Sequence, residues 1–209
     1  MNNKNYNTII IGGGAAGFFA AINLAEQTSN HSIAIVERGK DALQKVRISG
    51  GGRCNVTHSK FEPKPLSLNY PRGEKELLGP FHSFMTGDTI SWFQERGIEL
   101  KIEEDGRMFP VSNSSQTIID CFISLAQKHH IDILTSNNVA SIEKKDLWEL
   151  HTKTDTFSCD NLVVTAGSSP KVWEMMRKLD HTIVNAVPSL FTFNTVDKQI
   201  TELAGIALE

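Results

Sequence analysis

The sequence predicts an α/β fold whose β-sheet is largely parallel. Three apolar, β-branched runs lack polar alternation, which is typical of strands buried on both faces of a parallel sheet. These runs cover residues 8–11, 32–36 and 161–165. A helical pattern separates the first two runs, and four strand-like segments precede the third, at residues 131–134, 139–143, 147–151 and 156–158. This order predicts a parallel sheet that a β-meander interrupts before the last strand returns.

Composition and charge place the chain among ordinary globular proteins. It has 209 residues, of which 40% are apolar and 22% are charged, and its net charge is −3. Lysines and arginines are scattered along the sequence, so it shows no basic field of the kind typical of nucleic-acid binding. We therefore expect a small-molecule substrate and no nucleic-acid partner.

The N-terminal and cysteine patterns narrow the cellular context. The polar stretch MNNKNYN leads into an apolar run that glycines end after four residues, which is typical neither of a signal peptide nor of a membrane anchor. Cys54, Cys121 and Cys159 are widely spaced and form no CxxC pair, which argues against a disulfide framework or a zinc site. We expect a cytoplasmic protein with reduced thiols, no membrane partner and no metal.

The first part of the chain predicts one strand–helix–strand unit. The run at residues 8–11 ends at a glycine cluster, and apolar and small residues at helical spacing follow from Ala15. The polar segment at residues 27–31 ends this helix. The next strand, at residues 32–36, places Glu37 at its carboxyl end.

A long excursion, residues 58–111, separates this unit from the next helix. The stretches ELLGPFHSF and TISWFQERG predict amphipathic helices, whose aromatic residues either pack onto the sheet or line a substrate pocket. The stretch IELKIEEDGRMFPV predicts a hairpin that turns at Glu104, Asp105 and Gly106. A crossover helix follows, with Ser112 and Ser114 as its capping candidates.

The remaining elements come from the meander and the returning strand. A tight turn at residues 144–146 joins two of the meander strands, and the strand at 161–165 ends in small residues. A helix is expected at residues 171–179, and an extended segment from His181 onward.

The segment GGGAAG contains a GxGxxG motif between the first strand and the first helix. Gly12 permits a tight turn, Gly14 lets backbone approach a pyrophosphate at the helix N-terminus, and Gly17 lets the helix touch the strand. Glu37 stands twenty positions beyond the last glycine, where its carboxylate would accept hydrogen bonds from ribose hydroxyls. The motif predicts a dinucleotide site formed by Gly12, Gly13, Gly14, Ala15, Ala16 and Gly17.

Glu37 also bears on the kind of ribose. Its carboxylate favours an unphosphorylated ribose, because a 2′-phosphate would be repelled. The neighbouring Arg38 keeps the phosphorylated alternative open, and it is itself a candidate cofactor contact.

A second glycine cluster, RISGGGRCNVT, spans residues 47–57. Backbone without side chains can lie against a flat or anionic group, and a guanidinium stands beside it. The candidate cofactor contacts in and near this cluster are Lys45, Ser49, Gly50, Gly51, Gly52, Arg53, Cys54 and Asn55. The alternatives are a flexible turn, solvated basic side chains and a small packed thiol.

The β-meander favours FAD over NAD. A simple nicotinamide dehydrogenase would continue with alternating strands and helices, whereas the strand LVVTAG returns here only after the meander. Its small last residues, Thr165, Ala166 and Gly167, let a strand end lie against a cofactor. We therefore predict an FAD/NAD(P)-binding Rossmann-like parallel sheet with a β-meander crossover, of the glutathione-reductase type.

Five segments carry a resemblance to a known family: IIIGGGAAG, RISGGGRCNVT, DGRMFPVSNSSQTIID, LVVTAGSSP and HTIVNAVPSLFTF. Together they resemble the BaiN/YhiN family of FAD-dependent flavoproteins, often labelled aminoacetone-oxidase-like. The resemblance covers essentially the whole chain and implies the N-terminal portion of a longer enzyme, with an FAD-binding fold that is incomplete at its C-terminus. It implies an FAD-binding domain over residues 1–190 and a linker into a second domain over 191–209. It also implies contacts from Val139 and Ala140 to adenine, for which plain sheet pairing is the alternative.

The resemblance further implies an FAD-dependent oxidoreductase, in which hydride passes through flavin N5 to or from a small organic substrate. Amine oxidation and reduction of a conjugated double bond both stay open, and NAD(P)H is a candidate reductant. No Ser/His/Asp order or carboxylate pair predicts a catalytic acid or base, which suits a flavoenzyme because the isoalloxazine carries the electron chemistry. The alternative is a dinucleotide-binding module without turnover.

Overall fold

The elements follow the predicted order. The computed structural model describes residues 3–187 and 196–198. The strands are β1 (Asn3–Ile11), β2 (Ile33–Val36), β3 (Thr57–His58), β4 (Leu100–Ile102), β5 (Arg107–Pro110), β6 (Asp132–Leu134), β7 (Ser141–Lys144), β8 (Trp148–His151) and β9 (Thr156–Val164). The α-helices are α1 (Ala15–Gln27), α2 (Gln44–Ile48), α3 (Pro63–Ser67), α4 (Glu74–Ser83), α5 (Thr86–Gln94), α6 (Ser115–Lys128) and α7 (Pro170–Lys178).

Six strands form the main sheet in the order β6-β2-β1-β9-β8-β7. The first four strands run parallel, and Ile9 of β1 pairs with Ala34 on one side and Leu162 on the other. β8 and β7 continue the sheet as antiparallel strands. This topology confirms the predicted α/β fold with a mainly parallel sheet and a β-meander.

The returning strand differs from its prediction. The sequence predicts separate strands at residues 156–158 and 161–165, but β9 runs unbroken from Thr156 to Val164. The reason is β1, which is nine residues long and pairs with both halves of β9, whereas β8 pairs only with the first four residues. The meander is therefore an extension of the main sheet at one end of this shared strand.

Two apolar cores lie on opposite faces of the sheet, because successive side chains of β1 point to opposite sides. Ile10 belongs to the core under α1 and α6, together with Phe18 and Phe122. Ile9 belongs to the core on the other face, where Leu150 of the meander is fully buried. Both faces are thus covered, as a parallel sheet requires.

The excursion forms the two predicted helices and the predicted hairpin. α4 and α5 cover the two helical stretches, and β4 and β5 pair antiparallel around a turn in which Gly106 has φ +83°. The short strand β3 adds a third strand that the sequence did not predict. Trp92 of α5 packs against Phe19 of α1 and Phe122 of α6, with ring centroids 5.2 and 5.7 Å apart. These rings fix the excursion on the α1 side of the sheet.

The chain after β9 enters α7, close to the predicted bounds. Residues 181–187 carry no regular secondary structure. The expected linker over 191–209, apart from residues 196–198, and the whole segment PSLFTF lie outside the described residues. Among the helices of the described part, none is both long and apolar enough to cross a bilayer.

Candidate cofactor-binding site

A cleft of about 810 Å³ opens at the carboxyl ends of β1, β2 and β9. Cofactor pockets typically have volumes of roughly 300–1,000 Å³, so the cleft has the size of such a site. The predicted contacts that line it are Gly12, Gly13, Gly14, Ala15, Ala16, Glu37, Arg38, Lys45, Ser49, Cys54, Asn55, Thr165, Ala166 and Gly167. Those that do not are Gly17, Gly50, Gly51, Gly52, Arg53, Val139 and Ala140.

The turn between β1 and α1 brings bare backbone to the cleft. Gly12 has φ +112°, and a Cβ on it would approach the Thr165 carbonyl oxygen to 2.7 Å. Gly14 caps the helix, and a Cβ there would have open space around it for 4 Å. No side chain caps α1 and its first turn holds no acidic residue, so the unpaired N–H groups of this turn face the cleft with the positive end of the helix dipole. An anion such as a pyrophosphate would be bound here.

Gly17 has a packing role one turn later. A Cβ on Gly17 would overlap the Gly12 carbonyl oxygen and lie 3.0 Å from the Thr165 hydroxyl. Its absence from the cleft lining agrees with the sequence interpretation, which gave Gly17 the contact between helix and strand. Thr165 in turn donates its hydroxyl hydrogen to the carbonyl of Ile11 or of Gly12, both 3.0 Å away. These contacts hold the ends of β1, β9 and α1 together.

The Glu37 carboxylate is fixed by backbone donors. Its Oε2 accepts from the Gly13 amide at 2.8 Å, and its Oε1 accepts from the Gly39 amide at 2.7 Å. Each carboxylate oxygen has a second lone pair, and the side chain lines the cleft. The predicted role as a ribose acceptor stays a prediction, but the carboxylate also has a structural role that the sequence did not indicate.

Two residues after β6 hold the backbone of the segment that carries this carboxylate. The Asn137 amide donates to the Glu37 carbonyl at 2.9 Å, and the Ser136 amide donates to the Gly39 carbonyl at 2.7 Å. Sequence reasoning missed both residues, since backbone hydrogen bonds between distant loops leave no residue-type signal. Val139 lies nearby but is buried in the meander core, and the Ala140 amide pairs with the His151 carbonyl at 2.7 Å. Their predicted adenine contacts stay a prediction, whereas sheet pairing of Ala140 is observed.

Helix α2, which the sequence did not predict, brings Lys45 to the cleft. It begins after Leu43, whose φ is +60° and whose amide donates to the Gly13 carbonyl at 2.7 Å. A Cβ on Gly167 would come within 3.7 Å of the Lys45 ammonium nitrogen. This cation therefore lies over the end of β9, beside the open N-terminus of α1.

The second glycine cluster forms a left-handed turn. Gly50, Gly51 and Gly52 have φ of +56°, +66° and +86°, and Cys54 has φ +63°. A Cβ on Gly50 would come within 2.7 Å of the Phe109 ring and 2.8 Å of the Asn55 nitrogen. Gly50 is thus required by tight packing against β5, and all three glycines suit the left-handed backbone of the turn. Only the flanking residues of the turn reach the cleft, so the predicted cofactor contacts of these glycines stay a prediction.

Arg53 faces the hairpin rather than the cleft. Its guanidinium pairs with the Glu103 carboxylate at 2.5 Å and lies over the Phe109 ring, 3.9 Å from the centroid. These contacts attach the glycine turn to β4 and β5. The predicted contact between Arg53 and a cofactor stays a prediction, with an ion pair already made in the structure.

The Cys54 thiol lines the cleft from this turn. Burial raises the pKa of this thiol, and a hydrogen bond with Ser49 acts in the opposite direction. The thiol form therefore persists at neutral pH.

Aromatic side chains form one end of the cleft. They come from α1, α5, α6 and the segment before α5, and are Phe19, Phe84, Trp92, Phe93 and Phe122. Phe19 and Phe84 pack edge to face with centroids 5.1 Å apart. The sequence left open whether the aromatic residues of the excursion pack or line a pocket, and these rings do both.

One group of possible metal ligands lies away from the cleft, on the meander. Glu143, Glu149 and His151 place ligand atoms within 4.8 Å of one another. The Lys145 ammonium lies 2.7 Å from Glu149 and 3.7 Å from Glu143, so a protein cation already pairs with both carboxylates.

Together, the glycine turn, the open helix N-terminus and the Glu37 carboxylate at the ends of parallel strands define a dinucleotide-binding α/β domain of Rossmann type. The chain belongs to a specific family of this class, the HI0933-like protein Rossmann domain, whose model matches residues 6–205. This match supports the sequence resemblance at the level of the family and assigns a Rossmann-type FAD-binding fold.

Two curated relatives are similar over nearly the whole chain. Ribosomal RNA dihydrouridine synthase of Haemophilus influenzae is 29% identical over 96% of this chain and 52% of its own length. The 3-dehydro-bile acid delta(4,6)-reductase of Clostridium scindens is 22% identical over 94% of this chain and 49% of its own length. The chain thus spans about half the length of these relatives.

A solved structure shows the same fold. THI4 of Thermovibrio ammonificans matches with a TM-score of 0.55 and 13% identity, over 85% of this chain and 64% of that one. At this identity the likeness concerns the fold alone.

Proposed function

We propose that this chain is the FAD-binding part of a flavin-dependent reductase that acts on a carbon–carbon double bond conjugated to a carbonyl. The observation that carries the proposal is the cleft, in which an open helix N-terminus and an aromatic end lie side by side. The first suits a pyrophosphate and the second a planar ring. A dinucleotide that ends in a flat ring system combines these two groups.

The residues at the cleft fit FAD. The open space at Gly14 and the amides of Ala15 and Ala16 would receive the pyrophosphate. The Glu37 carboxylate would accept from the adenosine ribose, and Lys45 would add a positive charge near the phosphates. The edge formed by Ser49, Cys54 and Asn55 would lie toward the flavin half.

When bound, FAD supplies a hydride equivalent from its reduced ring. The chain's own residues bind and orient the cofactor, and the aromatic end excludes water from the reacting face. Reduction of a double bond also needs a proton. The Cys54 thiol and the Lys45 ammonium both line the cleft and carry exchangeable protons, but no residue is assigned as the catalytic acid.

The relatives favour double-bond reduction over amine oxidation. Dihydrouridine is uridine with its ring double bond reduced beside a carbonyl, and a delta(4,6)-reductase is likewise named for reduced double bonds. Because the dihydrouridine synthase is the more similar of the two at 29% identity, we propose a uridine of ribosomal RNA as the substrate. This proposal replaces the expectation of a small-molecule substrate without a nucleic-acid partner.

The test begins with the cofactor. Purified chain, loaded with FAD, is expected to show bound-flavin absorbance that bleaches with NADH or NADPH. Incubation with unmodified ribosomal RNA and the reductant is then expected to convert a uridine to dihydrouridine, detected by nucleoside mass spectrometry as a gain of two hydrogens. A chain that binds NAD and no FAD would overturn the flavin assignment.

A second candidate is a dinucleotide-binding module without turnover. It is favoured by the cleft lining, in which no described residue is assigned as a catalytic acid. This candidate would be selected if the chain bound FAD and the reductants bleached the flavin, but no uridine were reduced under any condition.

A further inference from the structure

Four basic residues lie within ten positions at the cleft: Arg38, Lys40, Lys45 and Arg47, which we call the basic strip. All four side chains are exposed. Asp41 is the only acidic residue between them, so the strip is positive although the chain as a whole carries a net charge of −3. The lysines and arginines, described from the sequence as scattered, therefore include one local cluster of positive charge.

The charge of the strip is not neutralised by neighbouring side chains. Several other basic residues have carboxylate partners, in the pairs Arg53–Glu103, Arg96–Glu26 and Arg107–Asp105. Within the described ranges, Arg38, Lys40 and Lys45 form no ion pair, and Arg47 donates to the neutral Gln116 side chain at 2.8 Å. These cations are available to an external anion.

The strip extends beyond the space that a dinucleotide needs. Arg38 and Lys45 line the cleft, whereas Lys40 and Arg47 do not. Arg47 lies against the N-terminal end of α6, where its carbonyl accepts from the Ser115 hydroxyl at 2.8 Å. A pyrophosphate in the cleft would contact the first two cations, which leaves Lys40 and Arg47 for a larger or a second anion.

We propose that the basic strip binds backbone phosphates of an RNA substrate at the mouth of the cleft. This inference rests on the proposed function, which supplies the base to be reduced. Exposed cations spaced along a rim match successive phosphates of a polyanion, and such contacts position the strand without reading its sequence. A base turned out of its stack then enters the cleft toward the aromatic end, because a ring cannot be reduced inside a duplex.

The test uses the FAD-loaded chain and a ribosomal RNA fragment with an unpaired uridine. The double variant Lys40→Gln/Arg47→Gln removes two outer cations while leaving the cleft lining intact. Its affinity for RNA is expected to fall about tenfold at low ionic strength, and the slope of log K against log salt to become shallower by about 1.4, at roughly 0.7 per phosphate contact. Flavin absorbance should be unchanged.

The matched control is Lys128→Gln/Lys153→Gln. Lys128 ends α6 at the end opposite to Arg47, and Lys153 lies in the turn between β8 and β9; both are exposed. This variant has the same change in net charge and should bind RNA as the wild type does. An equal loss of RNA affinity in both double variants would show a general effect of net charge and would overturn the proposal that the basic strip binds RNA. The proposal would also be overturned if the wild-type chain bound phosphatidylserine vesicles through the basic strip but did not bind RNA.

The two proposals fail separately. Strip-dependent RNA binding without any dihydrouridine would remove the proposed reaction and keep the RNA surface. Dihydrouridine formation at the wild-type rate and affinity in the strip variant would keep the reaction and remove the surface.

Discussion

Gly14 and Gly17 lie one helical turn apart at the start of α1, and the space around them is opposite in kind. A Cβ on Gly17 would overlap the Gly12 carbonyl oxygen, whereas a Cβ on Gly14 would meet nothing within 4 Å. Neither has the positive φ that only glycine tolerates well. The missing side chain at Gly17 therefore serves the packing of the fold, whereas the missing side chain at Gly14 leaves space for a ligand.

Gly17→Ala is expected to destabilise the chain by about 2–3 kcal/mol or more, because α1 must move away from β1 and β9. Gly14→Ala should cost less than about 1 kcal/mol in stability, since it adds a methyl group to open space, yet it should weaken FAD binding. Urea unfolding of the cofactor-free chain and FAD titration measure the two effects. Equal stability losses would contradict this assignment.

Glu37 is expected to affect stability as well as cofactor binding. In Glu37→Gln, one of the two backbone amides that the carboxylate accepts from would face an amide donor. The cofactor-free chain should lose about 1.5–3 kcal/mol, the range for a hydrogen bond to a charged group.

Glu104→Gln, at an exposed turn, is the control for Glu37→Gln and should leave urea unfolding unchanged. A Glu37→Gln variant as stable as the wild type, with reduced FAD affinity only, would assign the carboxylate to the ribose alone.

At the scale of elements, one charged side chain adds to the aromatic contacts that hold the excursion to the main domain. Arg96 follows α5, and its Nη2 donates to both carboxylate oxygens of Glu26 in α1, at 2.6 and 2.8 Å. Its guanidinium lies over the Trp92 ring, 3.9 Å from the centroid. Only 13% of the Arg96 side chain is exposed. Removing one partner of a pair this well covered costs more than removing one partner of a surface ion pair, because the other charge stays partly desolvated.

Arg96→Ala is therefore expected to lower the free energy of unfolding by about 2–3 kcal/mol, since it leaves Glu26 half-buried without its partner and removes a cation–π contact. Arg177→Ala is the matched control, because Arg177 pairs with Glu174 on an exposed face of α7. It should cost less than about 0.5 kcal/mol. Chemical denaturation of both variants measures the difference.

The elements also show which parts of the site were predictable. Gly12, Gly14 and Glu37 could be assigned because their roles depend on local spacing within one strand–helix–strand unit. The orientation of Arg53 could not, since its partner Glu103 lies fifty positions away on a hairpin. The fold was predictable from buried strand patterns, but the sequence did not predict β3 or α2. The polar pair Asp160 and Asn161 also interrupts the apolar pattern of β9, which is continuous in the structure.

For the whole molecule, the buried acids predict how stability depends on pH. Burial raises the pKa of the Cys159 thiol to about 11 from an ordinary value of 9.0. Burial and the hydrogen bond to Asp132 raise the pKa of Tyr6, and burial also raises those of Cys54 and Cys121. These groups ionise more readily in the unfolded chain.

A raised folded-state pKa contributes stability that is complete below the unfolded pKa and is lost as pH rises toward the folded one. The free energy of unfolding should therefore fall above about pH 9, by about 1.4 kcal/mol per pH unit for each group in its window. Urea unfolding across pH 7–11 measures the slope. Cys159→Ala should make it shallower between about pH 9 and pH 11, and an unchanged slope would contradict the role of this thiol.

The shared edge between β1 and β9 constrains how the chain reaches this structure. Ile11 pairs with Val36, which follows after helix α1 alone, but its partner on the other side is Val164, far later in the chain. During synthesis, the first strand therefore stays half-paired until most of the domain has been translated. Contacts of such long sequence separation slow folding and prolong the exposure of an unpaired, aggregation-prone strand edge. We therefore expect folding in the cell to depend on chaperones. Mutations that stabilise α1 alone should reduce this dependence least, because they do not pair the free edge of β1.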